Sequence, residues 1–66
     1  MIKVKSEYDV DKYKVLVLSD NVPLVSFKEV QIEGERYVPE IVYDAKNEIG
    51  IISKKSFVGK EIKFIM

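Results

Sequence analysis

The chain has no cysteine and no histidine. Disulfides are therefore excluded, and so are zinc sites built from the usual Cys and His ligands. The five serines have no imidazole to work with, and a serine nucleophile needs an oriented base. Glycine is scarce, at three residues, and no Gly-rich phosphate loop occurs. Alanine and leucine together number four, so a helical bundle would have to form against propensity. No apolar run approaches the roughly 18 residues of a membrane span. Met1 is followed by the alternating Ile2-Lys3-Val4-Lys5, so no signal peptide is expected. With no cysteine present, the expected location is cytoplasmic. No cofactor or metal is expected.

Valine and isoleucine are abundant, at eighteen of 66 residues, and these favour strands. A chain this short buries only about 60% of its unfolded surface, which makes its stability marginal unless something reinforces it. One small β domain over residues 1–66 is the expectation.

The segment from Val30 to Ser53 reads as three antiparallel strands joined by two tight turns. Val30 and Ile32 alternate with Glu29, Gln31 and Glu33, the period-two pattern of a half-buried strand. Gly34 supplies the positive φ that a hairpin turn needs. Tyr37 to Tyr43 is rich in β-branched and aromatic residues, but Pro39 cannot donate a ladder hydrogen bond and marks an edge or a bulge. A second turn is predicted at Asp44-Ala45-Lys46-Asn47, where Asn47 tolerates the left-handed conformation.

Around this segment, Met1–Lys5 reads as a short strand and Ser6–Asp11 as a polar loop. Lys12–Ser19 is a strand that is apolar on both faces, which predicts a central position covered on both sides. Asp20-Asn21-Val22-Pro23 is a turn signal. Ser26-Phe27-Lys28-Glu29 matches a capping box, yet Val-Gln-Ile favours a strand from Val25 to Glu33 with a bulge near Lys28. Ser53 can cap and Gly59 can terminate one 3₁₀ or helical turn, or the stretch is a loop, with Phe57 closing the end of the core in either case. Lys60–Met66 is the last strand. The layout is a small antiparallel barrel or meander of five to six strands. It resembles an SH3-like barrel in architecture, without that family's proline-binding aromatics.

Net charge is zero but unevenly spread. Asp20–Glu48 holds seven acids and three bases, and Gly50–Met66 holds four lysines and one acid. Pairing between strands that are neighbours in space accounts for this pattern. The carboxylate pairs Glu33/Glu35 and Glu40/Asp44 read as solvated strand faces, because acid–base work requires a cleft that perturbs pKa values. Asp9-Val10-Asp11 lacks the calcium-loop pattern, since Lys14 and Asp20 stand where Gly and Glu are needed.

A non-enzymatic module acting by protein contact, as a homodimer or within an assembly, is the resulting expectation. If Val15, Val17, Ile41 and Tyr43 fill the core, then Leu16, Leu18, Val38 and Val42 face outward as an interface. The alternative is a nucleic-acid-binding barrel that uses Lys54, Lys55, Lys60 and Lys63 with interleaved Phe57 and Phe64.

Overall fold

The computed structural model describes residues 1–23, 27–42 and 45–66. Its elements are β1 (Ile2–Val10), β2 (Tyr13–Leu18), β3 (Glu29–Ile32), β4 (Glu35–Tyr37), β5 (Glu40–Ile41), β6 (Glu48–Ile51) and β7 (Glu61–Ile65). They form one sheet in the order β4-β3-β7-β1-β2-β6-β5, with every pairing antiparallel. The described residues thus form seven strands, above the five to six expected. The sheet is not a closed barrel, because β4 and β5 both lie at its ends.

β1 joins the two halves of the sheet. Ile2 and Lys3 pair with Ile62 and Glu61 of β7, while Ser6–Val10 pairs with Val17–Tyr13 of β2. The register slips between Val4 and Ser6, leaving Lys5 as an extra residue. Such a bulge bends a strand and sharpens its twist. It lets one strand serve two half-sheets that turn towards each other. Val4 and Ile62 from one side and Leu16, Leu18, Ile49 and Ile51 from the other consequently meet in one core, together with Val30, Ile32 and Phe57. Val4 is fixed at the bend. Its N–H donates to Lys60 O at 2.9 Å, and its carbonyl accepts from Gly59 N at 2.8 Å.

The Ser6–Asp11 segment is strand up to Val10, not loop. Its polar residues pair fully with β2, and Tyr8 and Val10 lie opposite Val15 and Tyr13. Asp11 takes a positive φ of 57° and turns the chain into β2. At the next hairpin Glu33 (φ 51°) and Gly34 (φ 84°) link the paired Ile32 and Glu35. Two consecutive positive φ values are the signature of a type I′ turn, whose twist matches that of the strands.

The middle strand of the central segment divides at Val38-Pro39. Tyr37 still pairs with Val30 of β3, but Glu40 pairs with Gly50 of β6. A proline without an N–H ends one ladder, and the chain crosses to the other half-sheet. Of the four residues of the second predicted turn, Asp44 lies outside the described residues, as does the preceding Tyr43. Val25 and Ser26 also lie outside them. Lys28 N–H donates to Ile65 O at 2.9 Å, so pairing with β7 begins there.

Before β7 there is no 3₁₀ or helical turn. Ser53 Oγ accepts the Lys55 N–H at 3.1 Å and forms a local bend. Lys60 N–H then donates to Phe57 O at 3.0 Å, with Gly59 at φ 84°. That is a type II β-turn, which places Gly at its third position. Phe57 is buried in the core, edge-on to Tyr37 at 5.5 Å between ring centroids.

Candidate protein-interaction surface

Alternation assigns the two faces of β2, and the core takes the leucines. Leu16 and Leu18 are 0% and 1% exposed. This corrects the expectation that they face outward. The physical reason is that their face of β2 is the one on which Val4, Ile49 and Ile51 meet Val30, Ile32, Phe57 and Ile62. Leu16 lies between Glu7 of β1 and Ile49 of β6. The other face of β2 carries Tyr13, Val15 and Val17; of the residues expected in the core, Val15 is buried there at 5% exposure, Val17 is half-buried and Ile41 is 50% exposed.

On that outer face Val15 lies between Tyr8 and Gly50, and Gly50 lies beside Glu40 of the edge strand. Tyr8, Val10, Tyr13, Val15, Glu40, Ile41, Val42 and Gly50 line a shallow groove of about 370 Å³. Val10 is 51% exposed and Ile41 is 50% exposed. Val42, expected at an interface, lies in this groove and is half-buried. Val38, 72% exposed, stands at the corner between β4 and β5. Tyr8, Val10, Tyr13 and Ile41 were missed as surface candidates. Their signal was present in Tyr8 and Val10, the apolar members of an otherwise polar segment with period two.

The groove has a polar margin. The Tyr8 hydroxyl donates to the Glu48 carboxylate. That hydrogen bond is the main cause raising the Tyr8 pKa above its ordinary value, since ionisation would put two negative charges together. At the other end of β2, the Lys12 ammonium lies 5.4 Å from the Tyr13 ring centroid, within cation–π range.

At the mouth of the core, Glu7 reaches across to Lys14. Lys14 Nζ donates to Glu7 Oε2 at 3.1 Å, with Asp9 Oδ1 further off at 3.7 Å. Glu7 Oε1 accepts the Phe57 N–H at 2.7 Å. Glu7 thus fixes both the buried lysine and the segment that carries Phe57 into the core. Burial is the largest influence on its carboxyl and acts upward. The Phe57 amide and Lys14 together outweigh it, and the net shift is downward.

The C-terminal lysines do not form a free basic face. Lys55 Nζ donates to Glu35 Oε1 at 2.6 Å, and Lys60 Nζ lies 3.5 Å from Glu33 Oε1. Lys54 and Lys63 are exposed. Lys63 lies among Gln31, Glu33 and Glu61, so acids surround it. These contacts join the acid-rich and lysine-rich segments across neighbouring strands. Phe57 is buried, and Phe64 packs edge-on to Phe27 at 4.8 Å, so neither offers a ring for stacking.

Glu35 has its second oxygen occupied as well, by the Tyr37 hydroxyl at 2.8 Å. Its pKa is lowered, mainly by the Lys55 hydrogen bond and then by Tyr37. Lys55 is raised in return by Glu35. Tyr37 is raised by burial first and by Glu35 second. A carboxylate engaged at both oxygens is a structural clasp for the segment before β7. Gly34 takes its positive φ as expected. Asn47 acts through its side chain, which donates from Nδ2 to Leu18 O at 3.2 Å, while its own carbonyl accepts the Leu18 N–H at 2.7 Å. Among the described residues, no group of three or more His, Cys, Asp or Glu is placed to hold a metal ion. No helix among them is long and apolar enough to cross a membrane. Comparison with protein-family models, with curated proteins and with solved structures found no match.

Proposed function

We propose that this chain is a non-enzymatic interaction module that acts by protein contact, as a single small β domain working in the cytoplasm. The carrying observation is the apolar, tyrosine-bearing outer face of β1, β2, β6 and β5, with the groove over Gly50. Contiguous exposed apolar surface on a small soluble protein marks a contact site. Tyrosine suits such a site because it offers a large rigid apolar body and a polar tip. The interface is therefore Tyr8, Val10, Tyr13, Ile41 and Val42. Leu16 and Leu18 support it from the core side, and Val38 lies near its edge. The SH3-like layout belongs to this reading as architecture alone, supported by the bent first strand shared between two half-sheets.

Affinity capture from the native host, with proteins and nucleic acids both identified, tests the reading. The wild-type chain should retain a defined protein, and Val10→Lys with Ile41→Lys should lose it. Capture that ignores these two changes would remove this face from the account. The nucleic-acid alternative through Lys54, Lys55, Lys60 and Lys63 draws less support, because Lys55 and Lys60 are held by glutamates. Phosphate contacts require free positive charge over the binding face. Salt-dependent retention of RNA or DNA, lost on replacing Lys54 and Lys63, would favour the alternative.

A further inference from the structure

β1 is paired over different lengths on its two flanks. On the β2 side the ladder runs to Val10. On the other side β7 pairs only Ile2 and Lys3, and the chain just before β7 bonds β1 at Val4, through Lys60 O and Gly59 N. The hairpin fixes which residues face the bare remainder of that flank. Val10 and Tyr13 close the two-residue turn at Asp11-Lys12, so they exchange hydrogen bonds with each other. Alternation then turns Tyr8 towards β2, and it points the N–H and C=O of Glu7 and Asp9 away from β2. Among the described residues neither of these two backbones has a partner on that side. Unpaired groups in a row are a template for another strand.

On the reading that this chain acts by protein contact, we infer that an extended segment of a partner protein adds to this edge of β1. The segment carries apolar residues on the side of Tyr8 and Val10 and a basic residue facing Asp9. An added strand gains affinity from its backbone and specificity from alternate side chains. The two sides of β1 differ in what they ask for. Tyr8 and Val10 are 44% and 51% exposed, and they carry the apolar face of β2 out to the edge. Apolar residues beside them would bury that surface. On the opposite side Glu7 and Asp9 share one cation, with Lys14 Nζ at 3.1 Å from Glu7 and 3.7 Å from Asp9. The Asp9 side chain stays 76% exposed, and among the described residues it makes no other ion pair. Lys12 and Lys54 line the hollow at the turn end without forming an ion pair with it. Cross-strand neighbours stand about 5 Å apart at Cβ, so a lysine or arginine facing Asp9 supplies the missing charge. The same acids disfavour a second copy. The antiparallel pairing of two such edges that uses the backbones of both residues sets Glu7 of each copy against Asp9 of the other.

Hydrogen exchange followed by NMR tests the inference, first on the free chain. The Tyr8 and Val10 amides, bonded to β2, should exchange slowly, and the Glu7 and Asp9 amides fast. Slow exchange at Glu7 and Asp9 at every concentration overturns the open edge. Slow exchange that appears only at millimolar concentration gives the edge to a second copy and overturns the choice of occupant. The probe for the bound state is a short blocked peptide alternating valine and lysine. It should slow the Glu7 and Asp9 amides and shift the Tyr8 and Val10 signals. Replacing its lysines by glutamate, or its central residue by proline, should weaken binding by about tenfold or more. Asp9→Asn should abolish the preference for the lysine peptide over the glutamate one. A peptide that does not bind, or that binds and leaves both amides in fast exchange, overturns the inference. If capture from the host is still lost with Val10→Lys and Ile41→Lys, that failure removes the edge alone and the outer face stands as the contact site.

Discussion

Replacing Glu7 by glutamine should destabilise the fold by about 2 kcal/mol, because the carboxylate serves two partners that cannot move to water. Its side chain is only 15% exposed, and that of Lys14 only 11%. Glutamine can still accept the Phe57 N–H through its carbonyl. It cannot neutralise Lys14, whose remaining acid, Asp9, lies at 3.7 Å and is itself largely exposed. Removing one partner of a buried pair costs about 3–5 kcal/mol. The residual exposure here and the second acid reduce that figure. In a domain of this size each kcal/mol shifts the melting temperature by roughly 4–8 °C. The pH dependence has a definite sign. The folded pKa of Glu7 lies below the unfolded value, so its stabilisation is present above the unfolded pKa. It is lost as pH falls through the folded pKa, in the acid range below about 4.3. Urea denaturation of wild type and Glu7→Gln at pH 7 and through the acid range measures both effects. The two curves should converge as pH falls. The double variant Glu7→Gln/Lys14→Met should recover stability over Glu7→Gln, since it removes the uncompensated ammonium. A Glu7→Gln protein as stable as wild type at pH 7, or a double variant less stable than the single, would refute the reasoning.

Leu16→Ala should cost about 2–5 kcal/mol by chemical denaturation, as a buried leucine does, and its main effect should be on folding and not on association. Gly34→Val should cost roughly 1 kcal/mol or more, measured the same way, because a β-branched residue resists φ 84° although nothing lies within 4 Å of its Cβ. In an alkaline titration followed by NMR of labelled tyrosine, Tyr8 and Tyr37 should ionise above the ordinary value near 10. Glu48→Gln should bring the Tyr8 midpoint down and leave Tyr37 in place.

Much of the architecture was legible in the residues. The valine and isoleucine excess, the period-two alternation and the scarcity of alanine and leucine specify strands without helices, because these are local preferences of backbone and side chain. Gly34 and Pro39 were readable for the same reason, since each acts through its own φ or its missing N–H. Phe57 as the plug of the core also followed from local pattern. The pairing of Ile2 with Ile62, and the use of β1 by two half-sheets, were decided only in three dimensions. They join residues remote in the chain, and no local signal records them. The two faces of β2 could not be told apart by alternation, because both are apolar. The bend at Lys5 brings Val30, Ile32, Phe57 and Ile62 against the face that Leu16 and Leu18 share, and leaves Tyr13, Val15 and Val17 on the other, where Val15 is itself covered. The lysines near the C-terminus likewise read as a basic cluster along the chain. The fold sets Glu33 and Glu35 beside Lys60 and Lys55, and the charge that was free in sequence is paired in space.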